Sequence, residues 1–383
     1  MSFSARQRDY AIDWLRVCAM LTVFLFHCGR FFDHGGWHVK NNQLDSGITI
    51  FVLFLSQWIM PLFFILSGIS SDYSLRFRNP SEYFRSRVHR LFIPLVFGIF
   101  VLIPPQVYIE RITHNQFNGS FFEFFPHYFD GFYAFGGNFA WMGLHLWYLL
   151  MLFVFTIVTL PLFIALHHKS GRDFIAWLAG KLEYRGAIYL LALPFAILEL
   201  VLDPSGIGRR DFGGWSAFLY IIFFIYGYTV FSDRRCRAMI ERQAIFSLAT
   251  GILLTLVALV IFLKKGEPSF STSYFVLMTV LRAFNTWFWL LAIVGIGTRY
   301  FGYTKRFLSY ANQAVLPFYI FHQTIIVIFG FYIKDWNIPV LLKYAMLSTA
   351  SFITIMFLYE IFVRRINILR YLFGMKIRDK AAG

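Results

Sequence analysis

The sequence predicts an all-α, polytopic helix bundle that lives in a membrane. Three observations predict it. Hydrophobic residues make up 58% of the 383-residue chain and charged residues only 14%, where an ordinary soluble protein carries about 25% charge. The apolar residues gather in runs of about 20, the length of helix that crosses a bilayer. The runs lack the period-2 alternation of barrel strands, so the spans are helices, which satisfy their own backbone polar groups in lipid.

Taken in order, the runs predict about ten spans: 13–32, 47–71, 91–110, 145–166, 187–202, 214–231, 245–263, 273–297, 307–332 and 338–362. Residues 120–143 are rich in Phe, Tyr and Gly, but Pro126, Asp130, Gly131, Gly136 and Gly137 would break a span-length helix there. An outer loop is expected instead. With the N-terminus in the cytoplasm, the inner segments hold 24 Lys and Arg and the outer ones eight, counting Arg30 as outer. That bias follows the positive-inside rule and, with an even span number, puts both termini in the cytoplasm.

No linker, internal repeat or low-complexity stretch divides the chain. Residues 1–383 read as a single integral-membrane domain with a short cytoplasmic tail at 363–383. The first run follows Arg6 and Arg8 and has the length of a span rather than of a cleavable signal. The net charge of +15 is accounted for by basic inner loops, so no nucleic-acid partner is implied. The lipid bilayer is the partner that composition does imply. Cys18, Cys28 and Cys236 have no metal or redox spacing, and no metal site is expected.

The first span carries the feature that needs explaining. It reads DWLRVCAMLTVFLFHCGR from Asp13 to Arg30. His27 lies eleven positions after Arg16, three turns plus about 20°, so the two project from one side about 16 Å apart along the axis. Asp13 and Arg30 fall within about 60° of the same stripe. Ionisable groups in a span are costly and usually face a bundle interior or a wet cavity.

Other candidates are scattered. Arg85, Arg87 and Arg90 cluster with His89 at the mouth of span three, ahead of Pro94. A positive-inside anchor explains the charge, while arginine forks also suit phosphates such as those of coenzyme A. Ser67 and Gly68 interrupt an aromatic run in span two, which either lets helices pack closely or lets a thin ligand pass. His145 and Trp147 at the start of span four, and Trp37 and His38 in HGGWH, combine aromatic faces with polar tips. Such groups anchor interfaces and also suit a sugar. Arg282 and Asn285 in span eight, Asn312, His322 and Gln323 in span nine and Glu360 in span ten are buried-polar candidates. Walker A, HExxH and GxSxG motifs are missing from the sequence, so ATP-driven pumping, zinc hydrolysis and serine-elbow hydrolysis have no support. A histidine, with an ordinary pKa of about 6.5, can take and return a proton near neutral pH.

Together these residues resemble the acyltransferase-3 family of integral-membrane enzymes, over nearly the whole chain. The marks are Arg16 and His27 preceded by Asp13, FFxxSG at Phe63, Phe64, Ser67 and Gly68, and the basic loop Arg85, Arg87, Arg90 and Pro94. His145–Leu149 and Tyr319 to His322 complete the order. RQRDYAIDWLR, Trp37–Val39 and Leu358–Ile361 resemble the branch that succinylates osmoregulated periplasmic glucans. Two departures stand out: Val17 and Cys18 replace a glycine common after the arginine, and Glu360 lacks a nearby proline.

The resemblance implies a multi-pass protein of the bacterial inner membrane that takes an acyl group from cytoplasmic acyl-CoA to a glycan hydroxyl outside. Succinyl-CoA or acetyl-CoA would be the donor substrate, with no permanently bound cofactor. His27 would be the general base or a transient acyl carrier, Arg16 would orient the thioester or its oxyanion, and Asp13 would hold Arg16. Arg85, Arg87, Arg90, Ser67 and Gly68 would bind CoA. His38, His145, Trp147 and Trp37 would meet the acceptor, and Glu360, His322 and Arg282 are further candidates, Glu360 as a partner near Arg16. Two other readings stay open: an O-acetyltransferase of another envelope or secreted glycan, and a small-anion or sugar transporter using the Arg–His stripe. The oligomeric state is open, a homodimer included.

Overall fold

A computed structural model describes residues 9–202, 216–266, 268–270 and 272–378. Arg6 and Arg8 of the N-terminal arm, Arg209 and Arg210 of the expected outer loop, and the end of the tail with Lys380 lie outside the described residues. Among the described residues the fold is all-helical, with an isolated bridge between Phe132 and Phe139 and no strand.

The helices are α1 (Tyr10–Arg30), α2 (Ser46–Ser56), α3 (Ile59–Leu75), α4 (Pro80–Arg87), α5 (Ile93–Val101), α6 (Pro104–Thr113), α7 (Phe121–His127), α8 (Trp147–His167), α9 (Lys169–Leu182) and α10 (Leu193–Val201). They continue as α11 (Ala217–Thr229), α12 (Arg234–Lys265), α13 (Ser273–Tyr300), α14 (Arg306–Ile333), α15 (Val340–Leu358) and α16 (Asn367–Leu372).

Seven stretches among the described residues are long and apolar enough to cross a membrane, and up to nine if two bent pairs count as one span each. Each of the ten expected spans meets a helix, but three fall short of a straight span. Span three is broken between α5 and α6 by a 41° bend, where Pro104 and Pro105 remove two backbone donors. Span five is the short α10 with the 3₁₀ segment before it, bent 115° from α9. Span six is α11, whose 13 residues reach about 20 Å. Three stretches expected as inner loops are partly helical: 72–90 holds α4, 167–186 holds α9, and much of 232–244 is the start of α12. Asp233 caps α12 by accepting from the amides of Arg235 and Cys236. Residues 120–143 form no span-length helix: they hold the seven-residue α7, one 3₁₀ turn at Tyr133–Phe135 and turns, in keeping with the Pro and Gly content.

Two compact units emerge from the packing. The first comprises residues 1–19, 54–80 and 158–312. In it α3 and α11 approach closely at two glycines. A Cβ on Gly68 would sit 2.2 Å from the Phe224 carbonyl oxygen, and one on Gly227 would sit 2.2 Å from that of Ile65. Only two glycines let these backbones approach so closely, so Gly68 serves the packing role its position allows. Phe163 and Tyr228 stack at 3.8 Å beside them. Asn285 of α13 donates to Gln57 at 2.7 Å and meets Thr255 at 3.0 Å. Arg282 faces Glu199 at 3.4 Å, the internal pair expected of a charge in a span.

The second unit comprises residues 20–53, 81–157 and 313–383. Phe24, Phe318 and Phe352 join α1, α14 and α15 edge to face or tilted, the preferred geometry of aromatic pairs. The segment after α1 is held by Asp33, which is fully buried. It takes Arg30 at 2.5 Å on one oxygen and Lys40 at 2.7 Å on the other. Arg30 also donates to the Gly36 carbonyl. Arg30, the fourth member of the stripe, thus fixes a loop.

Candidate active site

The stripe on α1 feeds two polar clusters, one in each unit. In the first unit, Arg16 donates through Nη1 to Asp13 at 3.0 Å and to Asn312 at 3.3 Å, and through Nη2 to Ser70 at 2.7 Å. Asn312 in turn donates to Asp13 at 3.0 Å. Asp13 therefore holds Arg16. Asp13 is one turn towards the helix N-terminus from Arg16. The Arg16 side chain keeps 28% of its surface exposed, against 9% for Asp13, so the fork is anchored yet open to a ligand. Ser67 lies one turn before Ser71, whose hydroxyl donates to its carbonyl at 2.9 Å.

The second cluster surrounds His27, and its hydrogen bonds fix the tautomers. His27 Nδ1 lies 3.0 Å from the Val23 carbonyl, which can only accept, so Nδ1 carries the proton. The same nitrogen lies 3.1 Å from His322 Nε2. His322 Nδ1 lies 2.6 Å from the Tyr319 carbonyl, so His322 is protonated at Nδ1 and offers a lone pair at Nε2 to the His27 proton. His27 Nε2 is then left as the basic nitrogen. His322 is fully buried while His27 is half-buried.

From His322 the contacts run on. The His145 ring meets it edge-on with centroids 5.0 Å apart. His145 is itself buried, with Nε2 donating to the Ile320 carbonyl at 3.2 Å and Nδ1 3.4 Å from the Gln106 amide. Gln106 donates to Thr324 at 2.7 Å and accepts from Gln323 at 3.0 Å. Gln323 reaches His38 Nε2 at 3.0 Å, and His38 Nδ1 bonds to the Glu110 carboxylate. Glu110 also accepts from Tyr133 at 2.7 Å and from Arg111 at 3.2 Å. Burial, then the neighbouring Glu110 carboxylate, raises the Tyr133 phenol above its ordinary range, so it stays a donor.

Of the residues singled out in the sequence, this cluster joins His27, His322, His145, Gln323 and His38, with Trp37 beside His38 at 5.7 Å between ring centroids. His145 is a buried relay of contacts rather than an interfacial tip. Trp147 starts α8 and is half-buried. Arg85 and Arg90 are exposed, and Arg87 lies 4.8 Å over the Tyr83 ring. Glu360 accepts from Arg364 at 2.5 Å, and the carboxylate on Arg16 is Asp13. Six participants carry no motif in the sequence: Ser70, Gln106, Glu110, Arg111, Tyr133 and Thr324. Gln106 and Glu110 sit four apart in PPQVYIER, so one helical face presents both, and that spacing is the signal that could have found them.

A multi-pass helical membrane protein with a buried imidazole cluster is the class that fold and site define. The acyltransferase-3 family model, an acyltransferase domain, matches residues 9–360, and the chain belongs to that family of membrane acyltransferases. It is similar to the glucans biosynthesis protein C of Salmonella schwarzengrund, 24% identical over 98% of this chain and 97% of the relative. The proteins of that name from Salmonella agona and Salmonella heidelberg match to the same extent. No solved structure matches the chain.

Proposed function

We propose that the protein moves a succinyl group from cytoplasmic acyl-CoA to a hydroxyl of a periplasmic glucan at the bacterial inner membrane, with His27 as general base. The observation that carries the reading is the fixed tautomer of His27. Val23 and His322 both face Nδ1, which leaves Nε2 to take a proton. In the transfer the acceptor oxygen attacks the thioester carbonyl while its proton passes to Nε2. The new C–O bond forms, the C–S bond breaks, and the departing thiolate recovers the proton from His27. Base catalysis of this kind contributes about 10²–10⁴-fold.

Arg16, bonded to Asp13 with its second amine on Ser70, suits the donor arm better than an oxyanion at His27, about 16 Å along the helix. The exposed Arg85 and Arg90 and the half-buried Arg87 are suited to the CoA phosphates. The glucan acceptor rests on the likeness to relatives whose name refers to glucan biosynthesis, and succinyl on the RQRDYAIDWLR, Trp37–Val39 and Leu358–Ile361 segments.

The test uses purified protein, succinyl-CoA or acetyl-CoA, and periplasmic glucan, reading free CoA thiol and the mass gain of the glycan. His27→Ala is expected to lose at least about 100-fold in turnover while still binding CoA. Full turnover in that variant refutes the base assignment, and acetyl transfer in preference to succinyl refutes the donor.

A further inference from the structure

The second unit holds a cavity of about 280 Å³ lined by Gly36, Trp37, His38, Glu110, His114 and Tyr133. We propose that this cavity is a subsite for one neutral hexose unit of the acceptor glycan, with Trp37 as its stacking platform and Glu110 as the positioning residue behind it. The proposal rests on the glycan acyltransferase reading above and gives it a place for the acceptor.

The size is the first argument. The volume lies just below the range of about 300–1,000 Å³ typical of small-molecule sites, which suits a single sugar ring. Chemistry is the second. Trp37 is half-buried, and its indole N–H has no protein partner among the described residues. His114 Nδ1 donates to the Glu110 carbonyl at 2.7 Å, so its Nε2 is an acceptor. The Tyr133 hydroxyl spends its proton on Glu110 and keeps its oxygen lone pairs. An aromatic face, one donor and two acceptors match the apolar face and hydroxyl rim of a pyranose.

Charge excludes the rivals. The Glu110 carboxylate lines the cavity, so an anionic ligand such as a CoA phosphate meets a like charge. The cation beside it, Arg111, is committed to Glu110, Asn138, Gln116 and the Gly137 carbonyl. Glu110 itself is occupied by His38, Tyr133 and Arg111, so it holds the wall in place rather than binding the sugar.

The wall is built in advance, which lowers the ordering cost of binding. Asp33 clamps Arg30 and Lys40 at the two ends of the Trp37 segment. Lys40 also donates to the Arg30 carbonyl at 2.6 Å, and Thr113 donates to the His38 carbonyl at 3.1 Å. The subsite is also continuous with the base. His38, Gln323, Gln106, His145 and His322 make an unbroken series of contacts to His27.

The experiment measures binding of a linear glucose oligosaccharide to the full-length protein in detergent, without acyl donor, by titration calorimetry. Trp37→Ala is expected to weaken binding about tenfold or more, as for an aromatic anchor. Trp37→Phe keeps the ring and loses the N–H, and is expected to weaken it less. In turnover, Trp37→Ala raises the glycan KM more than it lowers kcat. His114→Ala, at an exposed position, supplies the same comparison if Trp37→Ala does not fold. Wild-type affinity and KM in folded Trp37→Ala, or in His114→Ala where Trp37→Ala does not fold, overturn the subsite. Because binding is read without donor, a failure of succinyl transfer leaves this result intact, and loss of the subsite leaves the His27 reading intact.

Discussion

Replacing His322 tests how the proton on His27 is held. In the wild-type protein the His27 Nδ1 proton has two acceptors, the Val23 carbonyl at 3.0 Å and His322 Nε2 at 3.1 Å. His322→Ala removes the second and keeps the first, so the tautomer that frees Nε2 survives with a looser ring. One net hydrogen bond is worth about 0.5–1.5 kcal/mol, which corresponds to a fall in kcat of about two- to thirteenfold. Loss of the base itself costs about 10²–10⁴-fold. The gap between these ranges decides the roles.

The assay is the initial rate of CoA thiol release at saturating acceptor, for His322→Ala, His322→Gln and His27→Ala side by side. Glutamine carries a side-chain oxygen that can accept from His27 Nδ1, so His322→Gln is expected to recover most of the loss. The Tyr319 carbonyl also loses its donor in His322→Ala, so a lower melting temperature accompanies the change and is measured separately. If His322→Ala falls as far as His27→Ala, while still folded, then the proton ends on His322. The argument that His27 Nε2 is the base and His322 only orients it is then refuted.

Two further substitutions probe the first unit. Arg16→Lys keeps the charge, but one ammonium cannot serve Asp13, Asn312 and Ser70 as two separate amines do. The donor KM is expected to rise about tenfold, the cost of one charge-assisted bond at about 1.5 kcal/mol, and an unchanged donor KM counts against a donor-side role. Gly227→Ala places a Cβ 2.2 Å from the Ile65 carbonyl oxygen, so α3 and α11 must separate. Overpacking of this kind costs about 1–3 kcal/mol, read as a lower melting temperature in detergent, and wild-type melting would show that the helices do not pack on their glycines.

The sequence carried more of the fold than of the site, for physical reasons. Span-length apolar runs are long-range averages, and they survive small errors of boundary. Three spans escaped because local chemistry overrode hydropathy: Pro104 and Pro105 break one, while α10 and α11 are apolar but short. The stripe on α1 was legible because helical spacing is rigid and sets Asp13, Arg16 and His27 on one side. Its partners on other helices were not. Asn312 lies 296 positions from Arg16 and His322 lies 295 from His27, and no periodicity relates such positions. Gln106 and Glu110 were obscured by lying at the edge of a broken span. Gly68 shows the opposite case. Its position allowed helix packing or ligand passage, and only the distance to the Phe224 carbonyl decided what fills the space beside it.

The polar series in the second unit has a direction, and the direction explains why amides alternate with imidazoles in it. Glu110 can only accept, so His38 donates from Nδ1, and a neutral His38 then accepts at Nε2. Gln323 must then present its amide nitrogen to His38, and the same nitrogen meets the Gln106 oxygen. Gln106, with its oxygen taken, turns its own amide to Thr324 and His145, which leaves His145 to donate from Nε2 to the Ile320 carbonyl. Each residue thus fixes the protonation of the next. A glutamate at Gln323 would be nearly isosteric, yet it would set carboxylate oxygens against two acceptors and could satisfy neither. A leucine would strand both His38 Nε2 and the Gln106 oxygen without donors, at about 1–3 kcal/mol each. Buried polar groups in an apolar bundle are tolerated only when all are satisfied together, and here satisfaction holds for one arrangement of protons. That arrangement fixes the acceptor face of His38 at one end of the contacts, while the separate bonds of His322 leave the basic nitrogen of His27 at the other.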